Sequence, residues 1–298
     1  MARKPAVLGL LFEGLNPSAA LVKDGTIAAI AEEERFTRVK HAPDAFPAGS
    51  VEYCLREGGV SIADVDYISV GWDAHKFPAH MEEFFLACRR MYRPCSRFVL
   101  NWQERKLSRY TAENLETQIR ERLLRNVPES RAPEIRFVNH HFAHACSCFM
   151  PSGFDDAAII TADGHGEDDC TNFWAAEKGR INHLKQWKIP HSLGWFYTKF
   201  TQWFGFQPHD GEGKLMGLAA YGSRRPELIE KVNRVLFLTG DDDVYRVNPR
   251  FFFGEFVECG PYTHEWIQLF GEPRTQNSSE PFSEYHMDLA FAVQDALE

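Results

Sequence analysis

Short apolar runs separated by polar, Gly-bearing turns open the chain. Val7 to Phe12 is continuous and apolar, as a buried strand is. Glu13-Gly14-Leu15-Asn16-Pro17-Ser18 then reads as a turn, Ala19 to Val22 as a second strand, and Asp24-Gly25 as a hairpin turn. Thr26 to Ala31 is the third strand. The pattern returns near the middle. Ala157 to Ala162 is apolar, Asp163 to Glu167 is an acidic loop, Thr171 to Ala176 is a strand, and Lys178-Gly179 turns into Ile181. Between the two, Met81 to Leu124 predicts helices, with Thr111 to Arg125 solvated on one face. Ile135 to Val138 predicts a strand, and Asn139 a cap for a helix starting at His140. Helices are also predicted for Leu193 to Phe204, from Lys214 to Ala220, and for Tyr285 to Leu297. His209 to Gly213 is predicted as a loop. The last helix carries no stop residue, so the sequence reads as truncated there.

A strand–loop–strand–turn–strand unit that occurs twice is the plan of actin-like ATPases, in which paired lobes clamp a nucleotide between hairpin loops. The fold class expected is therefore α/β, actin-like, with lobe I over about 1–138 and lobe II from about 139. Two hairpins in one α/β protein also resemble each other by chance.

Composition narrows the class. Of the 298 residues, 44% are hydrophobic and 25% charged, enough for a packed core and against disorder. The net charge of -9 argues against non-specific nucleic-acid binding and against anionic membranes. No apolar run approaches the ~20 residues of a membrane span. Seven cysteines, with no CxxC pair, fit reduced thiols and a cytoplasmic setting.

Four segments carry candidate chemistry. His140 and His144 are one helical turn apart, so both project from one face and can share a divalent metal. Asp163, at a strand end, adds a carboxylate, and that donor set suits Fe(II) or Zn(II). His141 stands where a zinc protease has its Glu. HxxxH also occurs as plain core or surface histidines. Cys146 and Cys148 are alternative zinc ligands or small buried side chains. In Asp163-Gly164-His165-Gly166-Glu167, the glycines would let N–H groups approach a phosphate and the acids hold a metal or ribose. Gly213-Lys214 at a helix start would meet an anion, although the segment is no Walker loop. Glu34 to His41 either grips a phosphate or carbamoyl oxygen or is a solvated charged face. The run Trp195, Phe196, Tyr197, Trp203, Phe204 reads as core rather than as a sugar platform.

In this order the segments resemble the NodU/CmcH-type carbamoyltransferases. The matching blocks are Asn16 to Leu21, Glu32 to His41 with Phe46-Pro47, His140 to Ala145, Asp163 to Glu167, and Gly213 to Gly222. The resemblance implies an actin-like domain that moves a carbamoyl group from carbamoyl-adenylate to a hydroxyl of a sugar, antibiotic or nodulation-type acceptor. Carbamoyl phosphate and ATP supply the adenylate, in a YrdC-like domain further along such chains. It implies Fe(II) on His140, His144 and Asp163, and the nucleotide against Asn16, Ser18, Arg35, Gly164, Gly166, Glu167, Glu212, Gly213, Lys214 and Gly217. Lys40, His141 and His165 are the candidates for catalysis, the histidines as general base. The chain departs from the family at Leu15-Asn16, where many members have His-Asp, so that histidine's role has no counterpart there. An actin-like sugar kinase, a non-catalytic nucleotide-binding lobe and a zinc hydrolase are the alternatives. The acceptor and the oligomeric state are not written in the sequence.

Overall fold

The computed structural model describes residues 4–91, 97–240, 244–251 and 262–298. The protein is a mixed α/β structure of two compact units: Met1–Glu82 with Asn101–Ala143, and Glu83–Leu100 with His144–Glu298.

The first unit holds a five-stranded sheet. β1 (Val7–Leu11), β2 (Ser18–Lys23) and β3 (Thr26–Glu32) form the expected antiparallel meander. α1 (Glu34–Thr37) and α2 (Ala48–Gly58) follow, then β4 (Tyr67–Val70). α3 (Phe77–Met91), α4 (Arg97–Arg109) and α5 (Ala112–Ile119) lead to β5 (Glu134–Phe137). The sheet order is β3-β2-β1-β4-β5, with β4 parallel to both neighbours. Leu8 and Leu10 of β1, Ile68 and Val70 of β4, and Leu115 and Ile119 of α5 share one core. Each contributes roughly 1.5–3 kcal/mol by full burial.

α2 escapes a local reading because its cap comes from far away. Pro47 precedes it and makes no side-chain cap. The Glu33 carboxylate, only 5% exposed, accepts from Gly49 N at 3.1 Å, Ser50 N at 2.8 Å and Ser50 Oγ at 2.8 Å. A carboxylate at a helix start also suits the dipole. So Glu33 belongs to the interior, whereas its neighbour Arg35 fits the solvated reading, 70% exposed beside Glu32 and Glu34.

The boundary between the units falls within α6 (His140–Phe149). β6 (Asp156–Ala162), β7 (Asp169–Glu177) and β8 (Arg180–Lys188) form a second antiparallel meander. Ala145 and Phe149 of α6 pack on Ile159, Trp174 and Ala176 of this sheet. The rest is α7 (Leu193–Trp203), α8 (Glu212–Ala219), α9 (Pro226–Asn233), β9 (Leu236–Leu238), β10 (Tyr245–Val247), α10 (His264–Phe270) and α11 (Glu284–Leu297). α8 starts two residues earlier than the sequence predicts, at the acidic Glu212. Phe196, Phe200, Trp203, Phe204, Trp266 and Phe270 build an aromatic core, which bears out the core reading of the α7 aromatics.

α11 is fastened by a buried carboxylate. Asp288 accepts from Arg225 Nε at 2.8 Å and from Ser223 N at 2.7 Å. The Arg225 guanidinium holds the Asp288 carboxyl below its usual value of 3.8. A depressed folded-state pKa stabilises the protein above the unfolded value and ceases to do so as pH falls through the folded one. Asp288→Asn is expected to lower the melting temperature by about 2–4 °C at neutral pH. The loss should shrink as pH falls below the unfolded value and vanish once the folded carboxyl is protonated, as read by urea unfolding across the acid range.

Among the described residues, no helix is long and apolar enough to cross a membrane.

Candidate metal centre and the loops around it

Asn139 caps α6 as the sequence predicts, its Oδ1 accepting from Phe142 N at 2.8 Å. The cap sets the phase of the helix, so His140 and His144 fall one above the other. His144 Nε2 lies 3.3 Å from Asp163 Oδ2. Donor atoms of His140, His144 and Asp163 all lie within 4.8 Å of one another. His140 Nδ1 lies 3.1 Å from the Gly71 carbonyl. A carbonyl only accepts, so Nδ1 carries the proton and Nε2 keeps its lone pair. Two imidazole nitrogens and one carboxylate oxygen form a donor set that fits Fe(II) or Zn(II) and suits Mg(II) poorly. The His144 and Asp163 side chains are 49% and 42% exposed, open enough for a further ligand.

Asp163 follows β6 and is held from several sides. Its N–H donates to Cys170 O at 2.8 Å. Its own Oδ1 accepts from Gly164 N at 2.6 Å, and its carbonyl accepts from Ser192 Oγ at 3.0 Å. Ser192 also caps α7, accepting from Trp195 N at 2.9 Å. Gly194 presses on the same loop, where a Cβ would stand 2.7 Å from Gly164 N and 2.8 Å from Asp163 O.

Local bonds also engage the N–H groups of Gly164 and Gly166. The Gly164 N–H is engaged by Asp163, and the Gly166 N–H donates to Asp169 O at 2.7 Å. Gly164 admits the Trp195 indole, whose Nε1 would be 3.2 Å from an added Cβ. Glu167 is buried, 1% exposed. Glu212 Oε1 accepts from Thr198 Oγ1 at 2.8 Å and His209 N at 3.0 Å, tying the start of α8 to α7 and to the loop before it. Gly213 and Gly217 stand exposed with open space where a Cβ would be, and Lys214 is exposed beside them.

The two histidines expected as bases separate. His141 is fully buried and meets the His140 ring edge-on at 5.7 Å. His165 is half-buried, its ring edge against Trp195 at 5.3 Å. Its Nδ1 lies 2.7 Å from Gly166 O, which places the proton there and the lone pair on Nε2. Cys148 is exposed and its thiol donates to Ala145 O at 3.3 Å; neither it nor Cys146 belongs to the donor cluster. Burial pushes the Cys170 thiol far up, so it is no nucleophile.

A strained loop pair, legible in no local pattern, lies in the first unit. Glu13, Asn16, Arg38, His41, Ala42 and Asp44 all have positive φ, between 35° and 61°. Such residues cost about 1–3 kcal/mol each and persist where neighbours hold them. Here Asn16 N donates to His41 O and Asp44 N to Gly14 O, both at 2.9 Å. Arg109 bridges Glu13 and Asp44 at 2.6 Å each, Gln118 donates to Glu13 Oε1, and the Tyr110 hydroxyl donates to Glu13 O. Ser18 begins β2 at the edge of this pair, and Lys40 is exposed on it. Leu15 is 41% exposed.

The chain thus combines a mixed α/β fold, a cluster of two histidines and one carboxylate, and a strained hairpin loop. Residues 11–298 match the family described as Carbamoyltransferase N-terminus, and the chain belongs to that family. It is 35% identical over 294 residues to the uncharacterized protein sll1178 of Synechocystis sp., covering 98% of this chain and 46% of that protein. It is 31% identical over 284 residues to nodulation protein NolNO of Sinorhizobium fredii, covering 94% of this chain and 36% of that protein. The chain thus spans under half the length of these relatives. Among solved structures, YeaZ from Pseudomonas aeruginosa aligns over 63% of this chain and 68% of that one, at 16% identity and a TM-score of 0.34.

Proposed function

We propose that this chain is the transferring part of an O-carbamoyltransferase. It would take the carbamoyl group of carbamoyl-adenylate, made from carbamoyl phosphate and ATP, to a hydroxyl of a sugar, antibiotic or nodulation-type acceptor. The observation that carries this reading is the His140, His144 and Asp163 cluster in a chain of this family. The two meanders, β1-β2-β3 and β6-β7-β8, support an actin-like fold with duplicated lobes.

His140, His144 and Asp163 would hold Fe(II), or Zn(II) in its place. A divalent metal there supplies Lewis-acid stabilisation of developing charge. The acceptor oxygen bonds to the carbamoyl carbon, the bond from that carbon to the phosphate oxygen breaks, and AMP departs with the electron pair. His165 Nε2 takes the hydroxyl proton, with Gly166 O holding the ring in the required tautomer. Arg35, Lys40 and Lys214, all exposed, supply cations for the phosphate or the carbonyl. Asn16 and Ser18 in the first unit, and the exposed Gly213 and Gly217 of α8 in the second, are each candidates for a nucleotide contact.

AMP release from synthetic carbamoyl-adenylate under anaerobic conditions tests this. The Fe(II)-supplied chain is expected to release AMP, and His165→Gln to do so about 10²-fold or more slowly with AMP affinity unchanged. Undiminished release by His165→Gln would contradict the base assignment. No release by the unsubstituted chain would contradict the transferase reading.

A further inference from the structure

We propose that Trp72 is a positioning residue of the metal centre, clamping the His140 imidazole so that Nε2 is presented to the ion. The inference rests on the metal reading above and extends it to a residue with no donor atom of its own.

The sheet brings the two residues together. β4 and β5 run parallel with Val70 opposite Phe137, and Val138 N donates to Val70 O at 2.9 Å. Parallel strands in that register release Gly71-Trp72 and Asn139-His140 side by side at the same sheet end. The indole then lies on the imidazole, ring centroids 4.4 Å apart and planes 22° from parallel. Gly71 accepts the Nδ1 proton from the edge of the same ring. One residue therefore fixes the tautomer and the next fixes the ring plane.

The indole is itself immobilised. Phe77, fully buried, meets it edge-on at 5.4 Å, and Tyr110 meets it at 5.5 Å and 67°. Phe77 and Tyr110 contact each other at 4.5 Å. Burial pushes the Tyr110 hydroxyl up to about 12, so it stays protonated and keeps donating to the Glu13 carbonyl. Without the indole the imidazole could turn about its Cβ–Cγ bond and present either nitrogen. Partners that orient a metal-bound His ring in this way typically alter affinity by about 10–100-fold.

Anaerobic titration with Co(II), read by its visible absorption, and histidine nitrogen NMR test the proposal. The unsubstituted chain is expected to bind Co(II) and to show His140 protonated on Nδ1. Trp72→Ala should bind Co(II) about 10–100-fold more weakly. Its NMR spectrum should show a mixture of tautomers. Trp72→Phe, which keeps an aromatic face, should restore most of the affinity and the single tautomer. Unchanged Co(II) affinity in a folded Trp72→Ala variant would overturn the proposal. So would a Trp72→Phe protein with mixed tautomers, a result that stands even if the alanine variant does not fold. Failure of the unsubstituted chain to bind Co(II) while His140 keeps its single tautomer would strike the metal reading instead.

Discussion

Replacing His144 with alanine is expected to weaken binding of Fe(II) or Co(II) by more than about 10²-fold, beyond the range of outer-shell changes. Removing this imidazole takes one of three donors and leaves Asp163 without its 3.3 Å neighbour. The side chain is 49% exposed, so its loss opens no cavity in the core. The melting temperature of the metal-free protein should therefore stay nearly unchanged. Calorimetric titration with Co(II), beside a thermal melt of the metal-free chain, separates the two quantities. Equal metal affinity in His144→Ala would remove His144 from the site.

Gly194→Ala is expected to act on both stability and metal affinity. Its added methyl would stand 2.7 Å from Gly164 N and 2.8 Å from the Asp163 carbonyl. Those are backbone atoms, which cannot swing aside as a side-chain tip can. Either the start of α7 or the loop after β6 must shift. Overpacking of this kind costs about 1–3 kcal/mol. The shift should also carry Asp163 away from His144 and weaken Co(II) binding about tenfold or more, since a loss of ~1.4 kcal/mol is tenfold. Gly9→Ala is the comparison: its methyl meets only Ala20 O at 3.7 Å, an ordinary contact. Urea unfolding and Co(II) titration read the two effects. A Gly194→Ala protein as stable and as tight-binding as the parent would show that α7 does not pin Asp163.

Both meanders and α6 were legible because their determinants are local. Asp24-Gly25 and Lys178-Gly179 supply tight turns between alternating strands, and Asn139 supplies a cap next to the helix it begins. The candidate ligands were legible for the same reason: His140 and His144 share a helix face by spacing alone. α2 and β4 were not. The α2 cap, Glu33, is remote in sequence, and β4 is four residues that make sense only as a parallel partner of β1. The supports of the site were equally hidden. Trp72, Gly194 and Ser192 reach His140 and Asp163 through sheet register and helix placement, which no short window contains. One local detail of the Asp163 loop was also hidden: Asp163 engages the Gly164 N–H with its own carboxylate.

AMP binding by calorimetry on the anaerobic chain, with and without Fe(II), reads the metal and the nucleotide site together. Binding is expected to depend on Fe(II) and to disappear in His144→Ala. Equal AMP affinity with and without Fe(II), or binding that Mg(II) alone supports, would contradict it.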